Sequence, residues 1–203
     1  ALTTTQVAAI ETLDLRAMST AQVTAFTSDQ IPALTTLQSA SLLVTQVAAL
    51  TTEQLVALQN PDLAAMSAAQ IASIAVGKIT ALETQQIVAL TSAQVAGMTT
   101  AQIAALETHQ IAAIETLDIR ALTSAQVAAL TTEQAQALTA AQVAALETAD
   151  LRALSTSAFG TFSSEQLAAL TTAQTAGLTT GQLRALSTEQ ITQLDNADVA
   201  ALT

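Results

Sequence analysis

Leu2, Ile10, Met18, Phe26 and Leu34 stand eight residues apart, and the same spacing runs without insertion or deletion to Leu202. Twenty-five consecutive octads, residues 2–201, fit one template. The first reads LTTTQVAA, the thirteenth (Met98 to Ala105) MTTAQIAA and the seventeenth (Leu130 to Ala137) LTTEQAQA. A short fixed period over a whole chain dictates a repeat architecture, in which each unit buries its apolar face only against its neighbours. The 203 residues are therefore expected to form a single array with no separate domains. Ala1 holds the last position of an octad and Thr203 the second, so a fragment of a longer chain is expected.

Counted from the large apolar residue, position one is Leu, Ile, Met or Phe, two is mostly Thr, Glu or Ser, three is Thr or Ser and four varies. Position five is Gln or Asp, six Val, Ile or Leu, seven varies and eight is Ala. Position three carries Ser, Thr or Asn except at Val44, Ala68, Val76 and Ala140. Those side chains cap helix N-termini by accepting a free backbone N–H. Asn60-Pro61-Asp62 fits that frame, with Asn60 at position three and Pro61 where a first helical residue belongs. Asp14, Asp62, Asp118, Asp150 and Asp198 occupy position five, in the first turn, where the helix dipole favours negative charge. Arg16, Arg120, Arg152 and Arg184 occupy position seven, near the C-terminal end.

The spacing thus predicts an all-α, regular solenoid of very short capped helices, one per octad, drawn out as an elongated rod. Each helix is expected over positions four to eight plus the next position one, followed by a two-residue corner. Positions six and one lie three apart and share a helical face, as in Val7 with Ile10 and Ile103 with Leu106. Ala at position eight implies close backbone approach, and the polar variety at positions four and seven implies exposure. Helices running back and forth would set helix i beside helix i+2, so two repeats per coil are expected. Odd and even octads do not differ, which leaves three per coil open. A continuous helix is disfavoured because eight matches neither the 7- nor the 11-residue supercoil repeat. A β-solenoid conflicts with so much Ala, and disorder with a strict pair of large apolar residues in every octad. Gln at position five, beginning with Gln6, Gln22 and Gln30, predicts a ladder of side-chain amides bonding to backbone at the corners of adjacent repeats.

Three places depart from the pattern. Leu34 to Ala49 has Ser39 where an apolar residue belongs, and Ile74 to Ala81 has no cap and Lys78 at position five. Leu154 to Thr161 has Ala158 at position five, with Phe159 and Phe162 placed to fill one shared volume. Pro32, in helical register, removes an N–H that a helix would use.

Catalysis is not expected. There is no Cys, which rules out disulfides and thiol chemistry, and His109 is the only histidine, at exposed position four, so a His ligand set or triad cannot form. Glu11 with Asp14, Glu115 with Asp118 and Glu147 with Asp150 are paired acids, but they sit at cap and first-turn positions with no cleft to desolvate them. No catalytic, cofactor-binding or metal-ligating residue is assigned, and no cofactor. Sixteen acids against five bases give a net charge of −11, which argues against nucleic acid and serves solubility. No apolar run reaches the roughly 20 residues of a membrane helix, so no membrane insertion is expected.

The runs Leu122 to Leu130 (LTSAQVAAL) and Leu138 to Leu146 (LTAAQVAAL) resemble octapeptide repeat tracts in very long bacterial surface proteins, often labelled adhesin-like or haem-utilisation proteins. The likeness covers the entire chain but carries no haem or ligand residue with it. It implies an extracellular or cell-surface location and a structural, non-catalytic role as rod, stalk or fibre segment. The partners implied are other copies or further repeats of the same array, packed end to end or side by side. An alternative is a binding surface: paired Thr at positions two and three could form a hydroxyl array for ice or a polysaccharide.

Overall fold

Each octad opens with two extended residues and continues as a helix of one to one and a half turns. In the third octad Met18 (φ −63°, ψ 141°) and Ser19 (φ −67°, ψ 158°) make the corner, and Thr20–Thr24 the helix. Among the described residues none has a positive φ. A corner of two β-region residues needs no left-handed position, which is why the chain turns every eight residues with so little Gly or Asn. The computed structural model describes residues 2–194 and 196–202, and these are helical with no strand among them. The expected all-α solenoid of short helices is the observed fold. The α-helices are four to six residues long. The fourth octad instead forms a three-residue 3-10 turn, Ile31–Ala33, because Pro32 cannot donate the N–H that an α-helix would need.

The cap lies one residue earlier than the sequence frame placed it. Thr3, Ser19, Thr35, Thr51 and Ser67, all at position two, are the N-caps, and position three is the first helical residue. In the eighth octad Gln59 is the N-cap, Asn60 begins the helix and Pro61 follows as its second residue. That second N–H also lacks an intrahelical acceptor, so Pro61 costs nothing there. The deciding spacing is Ser/Thr at position two with Gln three residues on, the capping box, in which each side chain satisfies the other residue's backbone. Asp14, Asp62, Asp118 and Asp150 fall in first turns as expected. The side chain of Asp198 lies outside the described residues.

The core is a file of position-six and position-one side chains. Val47, Leu50, Leu55, Leu58, Leu63 and Met66 are all buried, and the alternation continues through Val95 and Met98. The chain divides into two compact units, Ala1–Ala105 and Leu106–Thr203, and both are stacked by one rule. In the first, Thr36–Ser41 packs on Asn60–Ala65, and Ala68–Ala72 on Ser92–Gly97. In the second, Ser124–Ala128 packs on Thr148–Ala153, and Thr132–Ala137 on Thr156–Phe159. Each pair is three octads apart, so the expected two repeats per coil give way to at least three, the number the sequence had left open. The extended corner turns the chain through much less than a full reversal, so helix i+2 has not yet returned over helix i.

Position eight is small because it meets position three of the helix three octads earlier. A Cβ added to Gly97 would stand 2.6 Å from the Cβ of Ala68, and one on Gly177 would fall on the Thr148 methyl. Phe159 and Phe162 are both buried with ring centroids 5.0 Å apart, filling the shared volume that the sequence placed there.

Candidate functional site: the glutamine ladder

Position five is the third residue of each helix, and from there a Gln side chain reaches in two directions. Gln102 is typical. Its Oε1 accepts the Thr99 backbone N–H at 2.8 Å, while its own N–H donates to Thr99 Oγ1 at 3.1 Å. Its Nε2 donates to the carbonyls of Ile71 at 3.0 Å and Ile74 at 2.8 Å. Those acceptors lie 31 and 28 residues back, at positions six and one of consecutive octads, on either side of a corner. Helix C-terminal carbonyls have no intrahelical donor, so one amide caps its own helix start and covers the end of another.

The same two offsets recur at Gln46 on Leu15 and Met18, Gln54 on Val23 and Phe26, and Gln94 on Leu63 and Met66. In the second unit Gln142 reaches Ile111 and Ile114, Gln166 reaches Ala135 and Leu138, and Gln182 reaches Leu151 and Leu154. The ladder expected from the sequence is therefore present, and its rungs set the pitch of the coil between three and four octads. These amides are nearly inaccessible, with Gln94, Gln102 and Gln182 each 1 % exposed. A buried amide with every polar atom paired adds stability, whereas an unpaired one would cost about 1–3 kcal/mol.

The exceptions follow the same logic. Lys78 Nζ donates to Leu50 O at 2.6 Å and Ala48 O at 3.4 Å, so an ammonium replaces the amide. Leu43 and Glu83 cannot cap as Ser or Thr does, yet each backbone N–H still donates to the following Gln Oε1, at 2.8 and 3.0 Å. Asp at position five reverses the polarity: Thr36 Oγ1 donates to Asp62 Oδ1 at 2.9 Å, and Ser124 Oγ donates to Asp150 Oδ1. Ser39, in an apolar position, is buried and its Oγ has no partner.

Of the pair Glu147 and Asp150, only Glu147 borders a concavity. Glu147 is an exposed N-cap residue and Asp150 is buried in the first turn that follows, with its hydroxyl donor beside it. His109 is exposed, as placed from sequence, with Nδ1 3.3 Å from Glu107 Oε2. Among the described residues no three His, Cys, Asp or Glu side chains gather as metal ligands. The open concavities include one of about 310 Å³ bordered by Leu2, Met18 and Phe26 and one of about 370 Å³ bordered by Leu117, Arg120 and Glu147. Glu53 and Glu133, both on the surface, are held below the ordinary carboxylate range by their own backbone N–H and by the hydroxyls of Thr51 and Thr131.

Short capped helices, a three-octad stacking rule and an amide ladder define an α-helical repeat protein of the solenoid class. The chain belongs to the ALTTAQ repeat family, which matches residues 7–44, 79–113, 111–148 and 143–180. No curated protein matches it. Among the described residues no helix is long and apolar enough to cross a membrane.

Proposed function

We propose that the chain is a structural, non-catalytic segment, a rod, stalk or fibre element of a bacterial surface protein, joined end to end with further repeats or other copies. The observation that carries this reading is the ladder. The recurrent polar side chain of the repeat is spent on the chain's own corners, and nearly every position-one and position-six residue on its own core. What is left for solvent is positions two, three, four and seven; position two is taken up in capping, and positions four and seven change from octad to octad. Electron microscopy of the purified chain tests it: uniform thin rods or fibres are expected, and compact globules would refute it.

A second reading gains from the corrected cap frame. Position-three hydroxyls are not needed as caps, and stacking files them along one face. Thr108, Thr132 and Thr156 begin three successively packed helices. Such a file suits ice or a polysaccharide. Thermal hysteresis or glycan binding that disappears when these three become Lys would favour it, and neither activity in the parent chain would dismiss it.

A further inference from the structure

Asp62 stands at position five of the eighth octad, on the helix Asn60–Ala65. The register that places Gln54 on carbonyls 31 and 28 residues back assigns Asp62 to the corner formed by Ile31 and Leu34, two residues before its hydroxyl partner Thr36. The residue is only 3 % exposed. One oxygen, Oδ1, accepts from the Thr36 hydroxyl at 2.9 Å, while Oδ2 is buried with no partner. No side-chain amide reaches the Ile31 or Leu34 carbonyl, since position five here is Asp62, and the amide of the N-cap residue Gln59 donates to Pro32 O at 2.8 Å. Where a normal rung brings an N–H, this one brings a side chain that as the carboxylate has none to donate.

The surroundings supply no positive charge. The helices packed on Asn60–Ala65 are Thr36–Ser41 and Thr84–Val88, and neither contains an ionisable residue. Asp62 is itself the only ionisable group on its own helix. Glu83 leads into Thr84–Val88, and Asp29 precedes the Ile31–Ala33 turn; both are acids. A divalent cation takes six or more oxygen ligands, and this corner offers one carboxylate oxygen and two carbonyls. A proton needs only one donor oxygen and one acceptor.

We propose that Asp62 is a proton-operated rung of the ladder. As the neutral acid it donates from Oδ2 to the Ile31–Leu34 corner and does there what Gln does elsewhere. As the carboxylate it leaves that corner with no side-chain donor, only the Leu34 N–H on Ile31 O, so this coil tightens as the pH falls. Burial acts in the same direction, raising the proton affinity of Asp62 against the smaller opposing effect of the Thr36 hydroxyl. The sign is opposite to that of an ion-paired Asp. The stabilisation is complete below the unfolded-state pKa and is lost as the pH rises through the higher folded-state value.

Thermal unfolding of the full chain, with D62N and D62Q alongside, tests this between pH 4.5 and 7.5. Asn keeps the shape of the neutral acid and donates at every pH, and Gln restores the ordinary rung. Both variants should melt several degrees above the parent at pH 7.5, with the D62N advantage shrinking below about one degree at pH 4.5. Carboxyl carbon NMR of the unmodified chain should show Asp62 titrating above the other aspartates. A D62N advantage that does not change with pH, or an Asp62 that titrates with the others, would overturn the proposal. So would a calcium- or sodium-dependent rise in the parent's melting temperature at pH 7.5 that D62N abolishes.

Discussion

A single Gln illustrates how much of this fold is carried by side-chain amides. Gln102 makes both halves of a capping box and two bonds to a corner 28 and 31 residues away, all inside the core. Gln102→Glu keeps the shape and the acceptor to Thr99 but turns the donor into a carboxylate facing two carbonyls. We expect a loss of about 3 kcal/mol near neutral pH, from an unpaired buried charge. Gln102→Ala should cost about 2 kcal/mol, as it removes the side-chain donor from both corner carbonyls, leaving Ile71 O only the Ile74 N–H, without adding charge. Urea denaturation of the two variants gives the order, and a Glu variant as stable as the parent would contradict the ladder as a source of stability. Ser39→Ala should go the other way, gaining about 1 kcal/mol, because the deleted hydroxyl is buried and bonded to nothing. The ladder was legible in the sequence because Gln recurs at one position with Asp and Lys as its substitutes. The cap was read one residue late because positions two and three both carry hydroxyls. Asn60-Pro61 suits either frame, and only the three-residue spacing from position two to Gln separates them.

At the scale of the element, these helices are far shorter than the roughly 12–15 residues at which isolated ones become marginal. Their ends therefore matter as much as their middles. Thr139 accepts the Gln142 N–H at 3.2 Å and its own N–H donates to Gln142 Oε1 at 2.8 Å, so Thr139→Ala should cost about 1 kcal/mol. Thr108, at position three and exposed, makes no cap, and Thr108→Ala should stay within about 0.5 kcal/mol of the parent. Equal losses at the two sites would mean the cap frame is wrong. Glycines divide the same way. Gly77 has open space where a Cβ would go, so Gly77→Ala should stabilise by about 0.5–1 kcal/mol through helix propensity. Gly97→Ala meets the Ala68 Cβ and should destabilise by about 1–3 kcal/mol, which thermal melts of the pair would reveal. The small residue at position eight was read correctly as a mark of close approach. Its partner three octads away was not legible, because the octads are so alike that no residue distinguishes a coil of two from a coil of three. That number comes from the angle of the extended corner, which every octad shares.

At the scale of the whole molecule, the register of the ladder depends on octad number and not on any one residue's identity. This distinguishes the chain from a globular domain, whose core is a particular set of side chains. It also gives the sharpest test of the architecture. Consider a consensus octad, LTTAQVAA, inserted between Ala65 and Met66. The amide of Gln70, which reaches Ser39 and Leu42, would then stand over Val47 and Leu50. Those are again positions six and one, with the same carbonyls and the same apolar side chains. Gln86 would move from Leu55 and Leu58 to Leu63 and the first residue of the insert, once more equivalent. Each rung finds a new partner of the same kind, so the melting temperature should stay within about 4 °C, a change of roughly 1 kcal/mol for a chain of this size. Inserting only LTTA at the same place sets the rungs of Gln70, Lys78 and Gln86 over helix starts, Leu43 and Gln46 in the case of Gln70. There the N-cap carbonyl already accepts from its own helix and no apolar core side chain stands. Two buried amides then lose their acceptors, at about 1–3 kcal/mol each, and the half-buried Lys78 ammonium loses its own. The melting transition should fall by more than 10 °C or split in two. Circular dichroism at 222 nm reads both outcomes. If the four-residue insert were tolerated as well as the octad, helix propensity and not coil-to-coil register would be holding the molecule together.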